Sequence, residues 1–281
     1  MSIVVKHHAG FFSCSCHMLY KILDYFNEYG ELPATIDTTY LFTWYKPTHM
    51  YNVDILDNYF IKYENPKPIV YEKMVKISRF PRDIQFSDYK NILFRDIKPF
   101  ITTYFTLADD IKERIHLLET KYKLNNYSNI CVLFYRGNDK QHETIAPSYN
   151  TFITKANQIK SENPNIRFLI QSDETEFIKA MDRALPNTVI FNDEIRHIPK
   201  CNETVDNVYR DSNAEYSKYF LAIVYIMSKC KHIVCTSGNC SLWIVLFRGN
   251  AENLHQYLQD KPVIYDVPNE DYDPFKKNFW L

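Results

Sequence analysis

Glycine is scarce. The chain of 281 residues holds five, Gly10, Gly30, Gly137, Gly238 and Gly249, where average usage of about 7% would give roughly twenty. A chain this sparing reserves each for a backbone need. An excess of one charge is also missing: 33 Lys and Arg against 34 Asp and Glu give a net charge of −1. No overall basic field draws the chain to nucleic acid, which disfavours a general nucleic-acid binder. No apolar run reaches the roughly eighteen residues that a membrane span needs. The opening, MSIVVKHHAGFFSCSC, lacks a basic stretch followed by a long apolar one, so neither a span nor a secretory leader is expected. The seven cysteines are an odd number without a C-x-x-C pair. A disulfide framework is not expected, and a reducing, cytoplasmic setting fits. In that setting the N-x-S/T patterns at Asn126, Asn202 and Asn239 stay unmodified.

What remains is an ordinary globular composition, 46% hydrophobic and 24% charged, long enough for one large or two medium domains. Aromatics reach 16%, with 22 Tyr and 19 Phe. Most are expected as core and interface fillers, and some could line a cleft.

SIVV at 2–5 reads as a short buried strand. After His7, His8 and Gly10 an amphipathic helix follows, with Leu19, Ile22, Leu23 and Phe26 on one face. Residues 31–83, rich in Pro and Tyr, suggest short strands and loops, and a helix is expected within 84–98; 101–124 reads as one long helix with Ile111, Ile115 and Leu118 as its stripe. LNNYSN at 124–129 is polar and turn-forming, and marks a linker. Beyond it strands and helices alternate cleanly: strands at 129–135, 167–172, 188–191 and 232–236, helices at 148–160, 174–185, 214–230 and 239–249. Such alternation means a parallel sheet covered on both faces.

In sheets of this kind ligands bind outside the carboxyl ends of the strands. Three such ends are polar. Arg136, Gly137, Asn138, Asp139 and Lys140, then Glu143, follow the first strand. Ser172, Asp173 and Glu174 follow the second. Thr236, Ser237, Gly238 and Asn239 follow the fourth and open a helix, whose amides and positive end suit a phosphate. The plain alternative is that Ser237 or Asn239 merely caps the helix. The guanidinium of Arg136 could hold a diphosphate bidentately; the alternative is a structural pair with Asp139.

These strings resemble the fucosyltransferase superfamily. FYRGNDKQHE (134–143) is similar to its first motif, His-x-Arg-Arg-x-Asp, with Lys and then Glu following in the α1,6 branch. FLIQSDETEFIKA (168–180) and YIMSKCKHIVCTSGNCSLWIVLFRG (225–249) are similar to its second and third segments. Order and spacing agree over about 120 residues of the second half. Here Phe134 stands for the family's His and Gly137 for its second Arg, the Lys-to-Glu spacing is one residue shorter, and the first half lacks the family's Gly-x-x-Asn-Gln loop. The chain also resembles small glycosyltransferases encoded by large algal DNA viruses.

The resemblance implies a GT-B-like α/β fold, two Rossmann-like domains with parallel sheets facing a central cleft. Residues 1–125 would form the acceptor-side domain and 126–265 the donor domain, with 266–281 as a tail crossing back onto the first. It implies metal-independent, inverting transfer of a sugar from a nucleotide-sugar donor, GDP-fucose or a UDP-pentose such as UDP-xylose, to a glycan hydroxyl, in host cytoplasm if the chain is virus-encoded. Arg136 would face the β-phosphate. Ser172 and Asp173 would lie at the nucleoside, and Thr236, Ser237, Gly238 and Asn239 would cradle the diphosphate. Glu143, coupled to Lys140, is the expected base, with His7, His8 and Asp139 as rivals. No cofactor or metal is expected. HHAGFFSCSCH matches no standard zinc spacing, and Asp271-Tyr272-Asp273 reads as a solvated turn. Two alternatives stay open: a non-catalytic nucleotide- or glycan-binding protein on the same fold, and a metal-dependent sugar transferase using that Asp-x-Asp.

Overall fold

The computed structural model describes residues 2–62, 84–194, 196–258 and 279–281. In the first half, strand β1 (Ser2–Lys6) leads into helix α1 (Phe11–Tyr29), and strand β2 (Thr35–Tyr40) pairs parallel to β1. Helices α2 (Phe94–Tyr104) and α3 (Asp109–Lys121) follow. In the second half come β3 (Ile130–Tyr135), α4 (Tyr149–Glu162), β4 (Arg167–Ser172), α5 (Thr175–Ala184), β5 (Thr188–Ile190) and the short α6 (Val205–Val208). The chain continues through α7 (Asn213–Lys229), β6 (His232–Thr236), α8 (Asn239–Arg248), β7 (Leu254–Leu258) and β8 (Phe279–Trp280).

The second sheet has the order β5-β4-β3-β6-β7-β8. Its first five strands run parallel, and β8 lies antiparallel on β7. The chain winds outward from β3 to β5, then returns to the other side of β3 at β6. The order therefore reverses between β3 and β6, and a crevice opens at their carboxyl ends. All six residues of β3 and all five of β6 are buried, as central parallel strands covered on both faces require.

The pleat of β3 sends its side chains into two interiors. Cys131, Leu133 and Tyr135 join Phe152, Phe168 and Phe177 under α4 and α5. Ile130, Val132 and Phe134 join a larger core, which runs through both halves of the chain and includes residues of α1, α2, α3, α7 and α8. Trp243 of α8 is fully buried there, against Phe105 at 4.6 Å between centroids and Phe12 at 6.3 Å.

The helix expected over 101–124 is two helices. Between them Ile61 N–H donates to Thr106 O, Ala108 N–H donates to Tyr59 O, and Leu107 bridges Phe60. These contacts replace the helical hydrogen bonds, and nothing local to 105–108 announces them. Strand β2 falls in the stretch expected to hold short strands, whereas β7 and β8 were not marked by the sequence pattern. The linker expected at 124–129 is a short turn capped by Asn126, whose side chain accepts from Ser128 N–H, and Leu124 beside it is buried in the shared core. Of the tail, Phe279 and Trp280 lie on β7, with Trp280 against Phe152 at 5.3 Å. The rest of it, including Asp271-Tyr272-Asp273, lies outside the described residues, as do 63–83 of the Pro- and Tyr-rich stretch. Among the described residues no helix is long and apolar enough to cross a membrane.

Candidate active site

A cavity of about 300 Å³ lies at the crevice. Its floor comes from the loops after β3, β4 and β6, and the facing wall from the loop between β1 and α1 together with Trp44 and Tyr45. The two halves of the chain thus meet on one space.

Arg136 stands one residue past β3. Its Nη2 donates to Asp139 Oδ1 at 3.0 Å, and its Nε is 3.4 Å from Asp173 Oδ2. Burial works against its charge, but Asp173 and Asp139 outweigh burial and hold the guanidinium above its ordinary range. Burial raises the Asp139 carboxyl; Arg136 opposes this, while the charges of Asp173 and Glu143 add to it. Lys140 lies one turn on, its side chain 8% exposed, with Nζ 2.5 Å from Glu143 Oε2 and over the Phe86 ring at 4.8 Å. Asp173 accepts from Gly137 N–H at 2.8 Å, which ties the loops after β3 and β4 together.

Gly137 explains a departure from the family motif. A Cβ there would stand 1.8 Å from Glu174 Oε2, and Glu174 is fully buried. No arginine fits beside Arg136. Gly238 has φ +153°, a conformation that side chains disfavour, and the stem of Lys140 lies beside it. No side chain caps the N-terminus of α8, so its positive end faces the cavity beside Lys140. One amide of this loop is already engaged: Gly238 N–H donates to the Tyr89 hydroxyl at 3.0 Å. Tyr89 itself is fully buried.

Of the residues singled out in the sequence, Arg136, Asp139, Lys140, Glu143, Asp173, Gly238 and Asn239 line the cavity. Ser172, Thr236 and Ser237 lie beneath it and hold its loops. Ser172 Oγ accepts from Glu174 N–H, Thr236 Oγ1 from Arg136 N–H, and Ser237 Oγ from Gln256 Nε2. His7 and His8 are not among its lining residues. His7 Nε2 pairs with Ser13 Oγ at 3.0 Å and its ring stacks on His17. His8 Nδ1 pairs with Thr43 Oγ1 at 2.7 Å, and its Nε2 accepts from Trp44 Nε1 at 2.8 Å. Cys14 donates to Ala9 O and Cys16 to Asn239 Oδ1, and all seven cysteines are free. Among the described residues no three His, Cys, Asp or Glu side chains gather as metal ligands do.

Sequence reasoning missed Gln85, Arg196 and Asp206, which also line the cavity. Gln85 lies in a three-residue turn, Arg196 in a loop and Asp206 on the four-residue α6, all too short for periodicity to mark and none at a strand end. The buried Arg196 donates from Nη2 to Asp206 Oδ1 at 2.6 Å and to Asn213 Oδ1 at 2.8 Å.

No protein-family model matches the sequence, and no curated protein does. The likeness is in three dimensions. A structure of NodZ alpha-1,6-fucosyltransferase soaked with GDP-fucose superposes with a TM-score of 0.53, and one co-crystallized with GDP with 0.51. A structure of fucosyltransferase NodZ from Bradyrhizobium gives 0.52. Each match covers 91% of this chain and 94% of the other, at 10% identity. The chain has the GT-B-like α/β fold of these fucosyltransferases, as the sequence motifs led us to expect.

Proposed function

We propose that this protein is a glycosyltransferase that moves a sugar from a nucleotide-sugar donor to a hydroxyl group, by metal-independent inverting transfer. The observation that carries the reading is Arg136, a half-buried cation at the switch point of a doubly wound sheet, beside Lys140 and the N-terminus of α8, which no described side chain caps. Two cations and a helix end converging on one cavity suit a diphosphate. As the bond from sugar to phosphate breaks, charge builds on the leaving nucleoside diphosphate, and fixed cations there lower the barrier. The burial that raises the Asp139 carboxyl eases the exchange of Asp139 for phosphate as partner of Arg136. In this reading the second half supplies the donor floor and residues 9–13, Trp44 and Tyr45 the acceptor wall, with the division near residue 125. Asp173 and its neighbours hold the nucleoside side, and the acceptor is a glycan.

The structural neighbours were solved with GDP-fucose and with GDP, which favours GDP-fucose as donor. UDP-xylose is the other candidate, because Phe134 and Gly137 replace the His and second Arg of the family motif. Thermal melting with a panel of GDP- and UDP-sugars in EDTA tests the reading. A donor at a hundred times its Kd adds about 2.7 kcal/mol to the folded state, a rise of several degrees. A panel with no stabilising nucleotide sugar would overturn the proposal. A non-catalytic binder would be stabilised yet never release nucleoside diphosphate.

A further inference from the structure

Inverting transfer needs a group to take the acceptor's proton, and the four groups expected to serve each have a partner. Glu143 is ion-paired with Lys140 at 2.5 Å and its side chain is 48% exposed. Asp139 is bound to Arg136, and His7 and His8, outside the cavity lining, are tied to Ser13, Thr43 and Trp44. Asp173, a further acid of the cavity, accepts from Gly137 N–H and faces Arg136 Nε.

Asp206 differs in position: like Glu143 and Asp139 it is paired through one oxygen, but its cation, Arg196, is not one of the pair placed at the diphosphate. It lines the cavity from the segment that carries α6, on the side of the acceptor wall. The side chain of Asn213 links the two, donating from Nδ2 to Trp44 O and to Asp206 O at 3.0 Å each. Its side chain is 20% exposed. Oδ1 is fixed by Arg196, while Oδ2 accepts no hydrogen bond from the described residues. The charge of Asp206 is felt by Tyr45 on one wall and by Arg136 and Cys240 on the floor, and by Cys14 behind the wall. A carboxylate oriented through one oxygen, with the other open between acceptor wall and donor cation, has the geometry of a general base.

We propose that Asp206 is the catalytic base and Arg196 its positioning residue, an assignment that rests on the glycosyltransferase reading. The acceptor O–H proton passes to Asp206 Oδ2. The acceptor oxygen forms its bond to the anomeric carbon from the face opposite the phosphate. The bond between that carbon and the β-phosphate oxygen breaks, and its electron pair leaves on the nucleoside diphosphate beside Arg136 and Lys140. The site thus holds a second arginine, supplied by the segment after β5, with a task other than phosphate binding.

The test uses the full chain with GDP-fucose and UDP-xylose as probes. Donor affinity is measured by titration calorimetry, and turnover as nucleoside diphosphate release with water as acceptor, across pH. Asp206→Asn is expected to keep donor affinity and lose about a hundredfold or more in turnover. Arg196→Gln is expected to keep donor affinity and lose turnover, and Arg196→Lys to restore part of that turnover, because the carboxylate needs a donor to orient it. A merely structural arginine would lower the melting temperature and leave turnover at saturating donor in place. The Arg196 variants carry the test if Asp206→Asn does not fold. Wild-type turnover in folded Asp206→Asn, or in folded Arg196→Gln, would overturn the assignment. Wild-type protein that binds and turns over neither probe would overturn the glycosyltransferase reading and the base with it; failure of the base alone leaves wild-type binding and turnover intact.

Discussion

Gly137 joins fold and chemistry in one residue. It lets β3 turn beneath Arg136 while Glu174, fully buried, sits against its Cα side and accepts from the Tyr149 hydroxyl. Gly137→Ala would drive a methyl into that carboxylate. We expect a loss of about 1–3 kcal/mol, the usual cost of overpacking, read by urea denaturation; unchanged stability would mean that the Glu174 contact is not held in solution. Tyr89 plays a matching part across the cavity. Tyr89→Phe removes the acceptor of the Gly238 N–H, and a buried amide left unpaired costs about 1–3 kcal/mol. The same denaturation series checks it. Arg136, Lys140, Asp173 and Gly238 were legible in the sequence because each follows a buried strand, where ligands of such sheets collect. Tyr89, Arg196 and Asp206 were not, because their places depend on how short turns, a loop and the four-residue α6 pack against elements far away in sequence.

At the scale of elements, the sheet carries a titrating pair away from the cavity. His232 begins β6 and His255 lies on β7, with rings stacked at 5.8 Å. Burial drives His255 from an ordinary 6.5 down to about 4, with Lys155, His232 and Lys90 adding to the effect. Between these values the unfolded chain binds more protons than the folded one. Stability is then complete above about 6.5 and falls as pH drops toward about 4. Thermal melts from pH 7 to 4 are expected to show this fall, and His255→Gln to flatten it; parallel curves for the two proteins would contradict it. Strands β3, β4 and β6 were legible because a central parallel strand is largely apolar, as in Ile130–Tyr135; β7, with His255 and Gln256 in LHQYL, was not. The break between α2 and α3 was not, since Phe60 and Ile61, which cause it, lie more than forty residues earlier.

For the whole molecule, one core serves both halves, although the two sheets are separate. Trp243 of α8 is its largest fully buried side chain, and Phe12 and Phe105 of the first half pack on it. Trp243→Ala should cost about 3–5 kcal/mol, and both proteins should unfold in a single transition. Two resolved transitions in the wild type would contradict a shared interior. This packing holds the first-half wall of the cavity over its second-half floor, and the cavity between them is where the central claim lies. The most direct measurement of that claim is nucleoside diphosphate release from the stabilising donor by wild type, Arg136→Ala and Arg136→Lys at saturating donor. We expect a loss of about a hundredfold or more in Arg136→Ala, and a comparable loss in Arg136→Lys, whose single ammonium lacks the bidentate fork. Near-wild-type release by folded Arg136→Ala would contradict the account.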